Sequence, residues 1–219
     1  MKIHRAGYPV ILKALIILLV INAIVYFFGQ VSLALYISAI ASGLVLLFVL
    51  RFFRCPNRKQ PQLADGQVLC PADGVIVAIE EVDEPNIVVG KRTQVSIFMS
   101  CWNVHINWLP VAGQIKQVLH FDGKFTRAIT PKSSDLNEHT AVVIIPPKGE
   151  TVMVKQIAGA VARRILTYIK QDDQCKAGDE MGFIRFGSRV DVLLPLDYKI
   201  CVEIGQKVVG RKTLIAIQK

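Results

Sequence analysis

Near the C-terminus the sequence sets a glycine beside a serine, Gly187-Ser188, between two apolar segments, Glu180 to Phe186 and Arg189 to Leu194. Both segments read as strands, and Val190, Val192 and Leu194 alternate as a half-buried strand requires. A Gly-Ser pair is an ordinary turn former. It also permits chemistry on the chain itself. In a strained turn a serine hydroxyl attacks the carbonyl of the preceding glycine, which has no Cβ in the way and tolerates unusual φ/ψ. The amide becomes an ester, which opens a route to chain cleavage. For an isolated pair the turn is the commoner outcome, and local sequence cannot choose between turn and cleavage site; the rest of the chain has to decide.

Other chemistries are less well served. Cys55, Cys70, Cys101, Cys175 and Cys201 stand singly. An odd count without a Cys-x-x-Cys spacing fits neither a disulfide framework nor a zinc site, and agrees with a reducing compartment. The histidines lack ligand spacing, Asn137-Glu138-His139-Thr140 is no His-Glu-x-x-His helix, and no metal is expected. Phe186-Gly187-Ser188-Arg189-Val190 is not the Gly-x-Ser-x-Gly elbow of a serine hydrolase.

The elements that must position Gly187-Ser188 begin with an anchor. Mean hydropathy is +0.42 and 52% of residues are hydrophobic. From Ala14 through Leu50 no side chain is charged, which is too long a run for one span and is divided by Gly29-Gln30. The pattern predicts an N-terminal transmembrane helical hairpin within residues 1–54, its helices over about 8–28 and 31–50, with Pro9 in the first turn and Lys13 reaching to the interface. A signal peptide fits less well, because a second apolar run follows at once with no small-residue cleavage pattern between. Residues 1–59 hold Lys2, Arg5, Lys13, Arg51, Arg54, Arg58 and Lys59 and no acid, which accounts for most of the net charge of +9. The basic character therefore marks membrane flanks and gives no sign of nucleic acid as a partner. Basic flanks at both ends place the rest of the chain on the cytoplasmic face of the cell membrane, with Arg51, Arg54, Arg58 and Lys59 drawn to anionic head groups.

Cys55 to Gly66 reads as a linker, and residues 67–219 as a mainly β, sandwich- or barrel-like domain. Short β-branched runs carry that reading: Gly74–Glu81, Ile87–Val89, Gln94–Met99, Gln114–Leu119, Ala141–Ile145, Thr151–Ile157, Ile165–Tyr168, Val190–Leu194 and Lys199–Ile204. Pro71-Ala72-Asp73-Gly74 and Pro110-Val111-Ala112-Gly113 each lead into a strand, and Val202 to Ala216 has the cadence of hammerhead-type β repeats. No lysine stands at the hairpin tip that a biotin or lipoate carrier would need, so the cadence points to a fold and not to a carrier.

Several motifs in one order complete the reading: Pro71-Ala72-Asp73-Gly74; Met99-Ser100-Cys101-Trp102-Asn103-Val104-His105-Ile106-Asn107 running to Pro110; Asn137-Glu138; Gln156 through Ile165; Gly178-Asp179-Glu180-Met181-Gly182; and Arg185 through Asp191. Over about residues 60–219 this combination closely resembles the short, membrane-anchored form of the phosphatidylserine decarboxylase family, pyruvoyl-dependent lyases made as proenzymes. The resemblance implies cleavage between Gly187 and Ser188 into a β chain, 1–187, and an α chain, 188–219, headed by a covalent pyruvoyl group made from Ser188. His105 matches the family's catalytic histidine, and Asp73 the aspartate that orients it. The pyruvoyl carbonyl then takes the amine of a serine-headed phospholipid as a Schiff base and draws off electrons as CO₂ leaves, with neither a metal nor a diffusible cofactor. Arg163 and Arg164 are the candidate phosphate-binding cations. The family often carries aspartate at the position of Asn103 and arginine or histidine at that of Trp108; the indole of Trp108 is expected at the membrane interface. A membrane-tethered β module without catalysis is the alternative, and the oligomeric state, a homo-oligomer included, stays open.

Overall fold

The computed structural model describes residues 2–29, 32–123, 137–159, 165–185 and 188–219. It forms two units, Met1–Asn57 and Arg58–Lys219.

In the first unit, strands β1 (Lys2–Ile3) and β2 (Arg54–Cys55) pair antiparallel, Lys2 opposite Cys55, so the two ends of this unit meet. Between them lie helices α1 (Tyr8–Phe28) and α2 (Ser32–Phe52), both long and apolar enough to cross a membrane. No residue of α1 is buried, although Lys13 and Asn22 are the only strongly polar side chains in the helix, a composition that suits lipid surroundings. One polar group joins the pair. The Asn22 amide donates to the Ser42 hydroxyl at 2.7 Å and accepts from that of Ser38 at 3.0 Å.

The second unit is mainly β. In chain order its strands are β3 (Gln67–Leu69), β4 (Gly74–Glu84), β5 (Gly90–Met99), β6 (Ile106–Trp108), β7 (Gly113–Phe121), β8 (His139–Ile145) and β9 (Val152–Ala158). They continue as β10 (Ile165–Thr167), β11 (Gln174–Cys175), β12 (Glu180–Ile184), β13 (Ser188–Leu194), β14 (Tyr198–Ile200), β15 (Lys207–Val208) and β16 (Leu214–Gln218). A curled antiparallel sheet runs β11-β7-β8-β9-β13-β5-β4-β15, accompanied by two smaller sheets, β10-β12-β6 and β14-β16-β3. Bulges between Ile76 and Ala78 and between Ile115 and Gln117 add twist where the large sheet curls. Both Pro-x-x-Gly echoes open a strand, and both glycines sit where a Cβ would strike backbone: Phe98 O at 2.2 Å for Gly74, Ile145 O at 2.1 Å for Gly113.

β13 lies in mid-sheet, between β5 and β9. Val190, Val192 and Leu194 enter the main core with Val95, Ile97, Val142, Ile144 and Val154, and Leu193 joins Ala141, Val143 and Met153 on the other face. The expected half-buried strand is therefore buried throughout. The polar residues between its valines satisfy one another: Arg189 Nε donates to Asp191 Oδ1 at 2.6 Å and Arg189 Nη2 to the Ser96 hydroxyl at 2.7 Å. Two short runs differ from expectation. Ile87–Val89 is the bend joining β4 to β5, shaped by Glu84 Oε1 accepting from the Asn86 and Ile87 N–H groups. The run from Lys199 stops as a strand at Ile200, where its pairing with β16 ends, and Glu203–Gln206 turns.

Candidate functional site

Ser188 is the first residue of β13, opposite Met99 of β5 on one side and Ala158 of β9 on the other. Its side chain is fully buried, and the hydroxyl donates to Met99 Sδ at 3.3 Å. A thioether is a weak acceptor, so little is lost when this hydroxyl turns to another partner. The same sulfur receives the Asn107 amide at 3.5 Å; Asn107 Oδ1 accepts from Gln156 Nε2 at 2.7 Å, and Gln156 Oε1 from the Thr167 hydroxyl at 3.4 Å. Asn137 braces the next strand, its amide donating to the Ala158 carbonyl at 2.7 Å. A serine hydroxyl thus ends a largely buried chain of neutral polar groups drawn from β5, β6, β9, β10 and β13.

The strands flanking Gly187-Ser188 are not a hairpin. β12 pairs with β6 and β10, while β13 pairs with β5 and β9, so the chain changes sheets between them. Gly187 and Phe186 lie outside the described residues, as do Arg163 and Arg164.

His105 is fully buried just before β6, reached from Met99 through a turn in which Asn103 Oδ1 accepts from the Ser100 N–H and hydroxyl at 2.9 and 2.7 Å. Its Nδ1 lies 3.1 Å from the Asn103 carbonyl oxygen. A carbonyl only accepts, so this contact puts the proton on Nδ1 and leaves Nε2 as the basic nitrogen. The His105 carbonyl accepts from the Ile184 N–H at 3.2 Å, which ties the histidine's backbone to the segment leading to Ser188. Phe183 of that segment faces the imidazole, with ring centroids 6.3 Å apart.

Asp73 sits in a compact cluster. Its carboxylate accepts from both terminal nitrogens of Arg58, at 2.7 Å each, and from the Gly210 N–H at 2.8 Å. The Arg58 guanidinium lies 4.8 Å above the Trp108 ring. Alternation along β6 separates the two groups: Asn107 turns to Met99 and Gln156, Trp108 to Arg58 and Gly210. Beside Asp73, burial pushes the Cys70 thiol up to about 12, its Sγ donating to the Ala72 carbonyl at 3.1 Å. That thiol stays protonated and is no competing nucleophile.

Two expectations are corrected here. Trp108 is buried beneath Arg58 and does not lie at a membrane interface, because Gly210 leaves room for the indole; a Cβ there would stand 2.5 Å from the ring. Arg58 is not a head-group-seeking cation, since its side chain is 9% exposed and committed to Asp73 and to the Gly210 carbonyl at 2.7 Å. Sequence reasoning missed Arg58, Met99, Asn107 and Gln156 as site residues. Asn107 and Gln156, amides set among apolar strand residues, were the available signal; nothing local marked Arg58. Among the described residues, no group of His, Cys, Asp and Glu side chains is gathered to hold a metal ion.

Residues 45–216 match the family model described as phosphatidylserine decarboxylase. The chain is 48% identical over 215 residues to the phosphatidylserine decarboxylase proenzyme of Phocaeicola vulgatus, covering 98% of this chain and 94% of that protein. It is similar to the proenzymes of the same name from Parabacteroides distasonis, at 48% identity with 99% and 98% covered, and Porphyromonas gingivalis, at 45% with the same coverage.

Proposed function

The chain belongs to the phosphatidylserine decarboxylase family, and we propose that it matures by cutting itself between Gly187 and Ser188 and then converts phosphatidylserine to phosphatidylethanolamine and CO₂. The near full-length likeness to proteins named as proenzymes carries this reading, and a buried serine hydroxyl at the corresponding pair supports it.

In this reading Ser188 Oγ adds to the Gly187 carbonyl carbon, the Gly187–Ser188 C–N bond breaks, and the acyl group rests on oxygen with the amine freed. Loss of the Ser188 α-proton then expels the Gly187 carboxylate and leaves an unsaturated residue. Its imine tautomer takes up water and releases ammonia, so that fragment 188–219 begins with a pyruvoyl ketone. The surroundings of Ser188 fit such a group, being buried and furnished with the neutral amides of Asn107 and Gln156. Once formed, the ketone supplies an electrophile for the substrate amine and a sink for the electrons released with CO₂.

His105 does the proton work. Nε2 takes the Ser188 hydroxyl proton and then the α-proton, and later returns a proton to the substrate carbon that has lost its carboxylate. Asp73 acts on it indirectly, through Arg58, Trp108 and β6, as a positioning residue. Arg163 and Arg164 are proposed to hold the head-group phosphate. The α-helical hairpin keeps the domain at the bilayer that contains its substrate. Basic flanks, and the pairing of β1 with β2 that joins the two ends of the anchor, support a cytoplasmic domain.

The test is the intact mass of the purified protein. Two fragments are expected, the 188–219 fragment resistant to N-terminal sequencing, and incubation with phosphatidylserine vesicles and borohydride should leave a covalent amine adduct on that fragment alone. Ser188→Ala should stay one chain without decarboxylase activity, whereas Ser188→Cys retains a nucleophile and should process slowly. A wild-type fragment that begins with a serine amine, or an active Ser188→Ala protein, would refute the mechanism; a single intact chain would favour the binding-module alternative.

A further inference from the structure

Arg58 is the first residue of the C-terminal unit and lies 15 positions before Asp73 in the chain. Its guanidinium is nevertheless held on several sides. Nη1 donates to Asp73 Oδ1 and to the Gly210 carbonyl, both at 2.7 Å, while Nη2 donates to Asp73 Oδ2 at 2.7 Å. Its Cζ lies over the Trp108 ring, 4.8 Å from the centroid. The pair is nearly sealed, with side chains 9% and 12% exposed. Neighbours hold the arginine in turn. Arg211 Nη1 donates to the Arg58 carbonyl at 3.0 Å, and Arg211 Nη2 bonds to Gln60 Oε1. Trp108 is fixed by its own N–H donating to the Pro71 carbonyl at 2.9 Å, and so to the turn that carries Asp73.

We infer that Arg58 is a positioning residue for self-cleavage, holding the Asp73 carboxylate and the Trp108 end of β6 in one rigid knot so that His105, at the other end of that strand, keeps its place. The inference rests on the reading of Asp73 and His105 given above. Only a planar fork does this work. It meets both carboxylate oxygens, bonds a backbone carbonyl and lies over an indole at once, whereas the ammonium of a lysine is a point donor that cannot do all three. Without Arg58, Asp73 would keep a single backbone N–H and the β6 end would lose its lid.

The experiment follows cleavage of full-length chains by intact mass, comparing wild type, Arg58→Ala, Arg58→Lys and Asp73→Asn. Arg58→Ala should accumulate as precursor and cleave at least about 100-fold more slowly, the scale of a misplacement of about 1 Å. Arg58→Lys should fall between it and wild type. Millimolar guanidinium should restore at least about tenfold of the lost rate in Arg58→Ala, while equal ammonium should not, because the fork and not the charge is missing. In a Trp102→Phe background, Trp108 is the remaining indole, and its emission should shift in Arg58→Ala and return with guanidinium. Wild-type cleavage by Arg58→Ala while Asp73→Asn is slow overturns the inference and leaves the role of Asp73 standing. A slow Arg58→Ala chain that guanidinium does not move overturns it too, since the loss is then one of folding. Unimpaired cleavage by Asp73→Asn would instead remove Asp73 from the proposed function.

Discussion

The buried pair Arg189–Asp191 offers the sharpest energetic test of how Ser188 is held. The two side chains are 1% and 0% exposed, 2.6 Å apart, and occupy the second and fourth positions of the strand that Ser188 begins. Asp191→Ala deletes the carboxylate and leaves a guanidinium sealed in the sheet with the Ser96 hydroxyl for company. Removing one member of a buried ion pair costs about 3–5 kcal/mol, most of it the penalty on the charge left behind. For a domain of this size that corresponds to a melting temperature lower by roughly 6–20 °C. The double variant Arg189→Met, Asp191→Leu removes both charges and keeps the volume, and should recover most of the loss. Measurements belong in a Ser188→Ala background, which keeps every sample a single chain, with unfolding followed by circular dichroism in detergent. If Asp191→Ala loses less than about 1 kcal/mol, or the double variant is worse than the single one, the pair is not the closed unit described and the argument fails. In the cleavable background the same Asp191→Ala change should slow processing, because the start of β13 loosens with its second and fourth residues.

His105→Ala should block cleavage by at least about 100-fold, as loss of a general base does, and Asp73→Asn should do less harm, since it turns one N–H toward the Arg58 fork yet keeps the imidazole; equal cleavage by His105→Ala and wild type in a mass time course would remove the histidine from that step. Burial alone would raise the Glu84 carboxyl, but the hydrogen bond and charge of Lys155 at 2.7 Å hold it below its ordinary value. A depressed carboxyl contributes stability that is present above its unfolded value and lost as pH falls through the folded one. The advantage of wild type over Glu84→Gln, about 1–3 kcal/mol at pH 7, should therefore shrink as pH falls below about 4.3, the ordinary glutamate value, and a difference that grows on acidification would contradict this. Asn22→Leu should weaken the α1–α2 pair by only about 0.6–1.7 kcal/mol by thermal unfolding in micelles, and a reporter fused after Lys219 should be found in the cytoplasm.

What the sequence made legible follows from which forces act locally. The two apolar helices were readable nearly to the residue, because a charge-free run has few other places to go; α2 extends only from the expected 31–50 to Ser32–Phe52. The long strands were readable because β-branched runs declare themselves, as in β5, β9 and β13. Strands of two or three residues, such as β11 and β15, carry no pattern of their own and exist because β7 and β4 offer an edge. The alternation of β13 was visible, but its burial on both faces was not, since Arg189 and Asp191 read as solvent-facing until each is seen to neutralise the other.

The same limit explains the site. Ser188, His105 and Asp73 were picked out because their motifs stand in a familiar order, while Arg58 was read with its charged neighbours in the juxtamembrane run. Charge runs are judged by average composition, and one member of such a run can still be the partner of a buried carboxylate. Here Gly210 makes that possible. By leaving the space a Cβ would fill against Trp108, and by offering its N–H to Asp73 and its carbonyl to Arg58, it lets an indole, a carboxylate and a guanidinium share one small volume. Two polar groupings thus meet at β6 from opposite faces, one neutral and ending at the Ser188 hydroxyl, the other charged and ending at Asp73. On the proposed mechanism, the neutral face suits a hydroxyl that moves and a ketone kept from water. The charged face suits a fixed support, which is why the carboxylate is clamped where the serine is only lightly held.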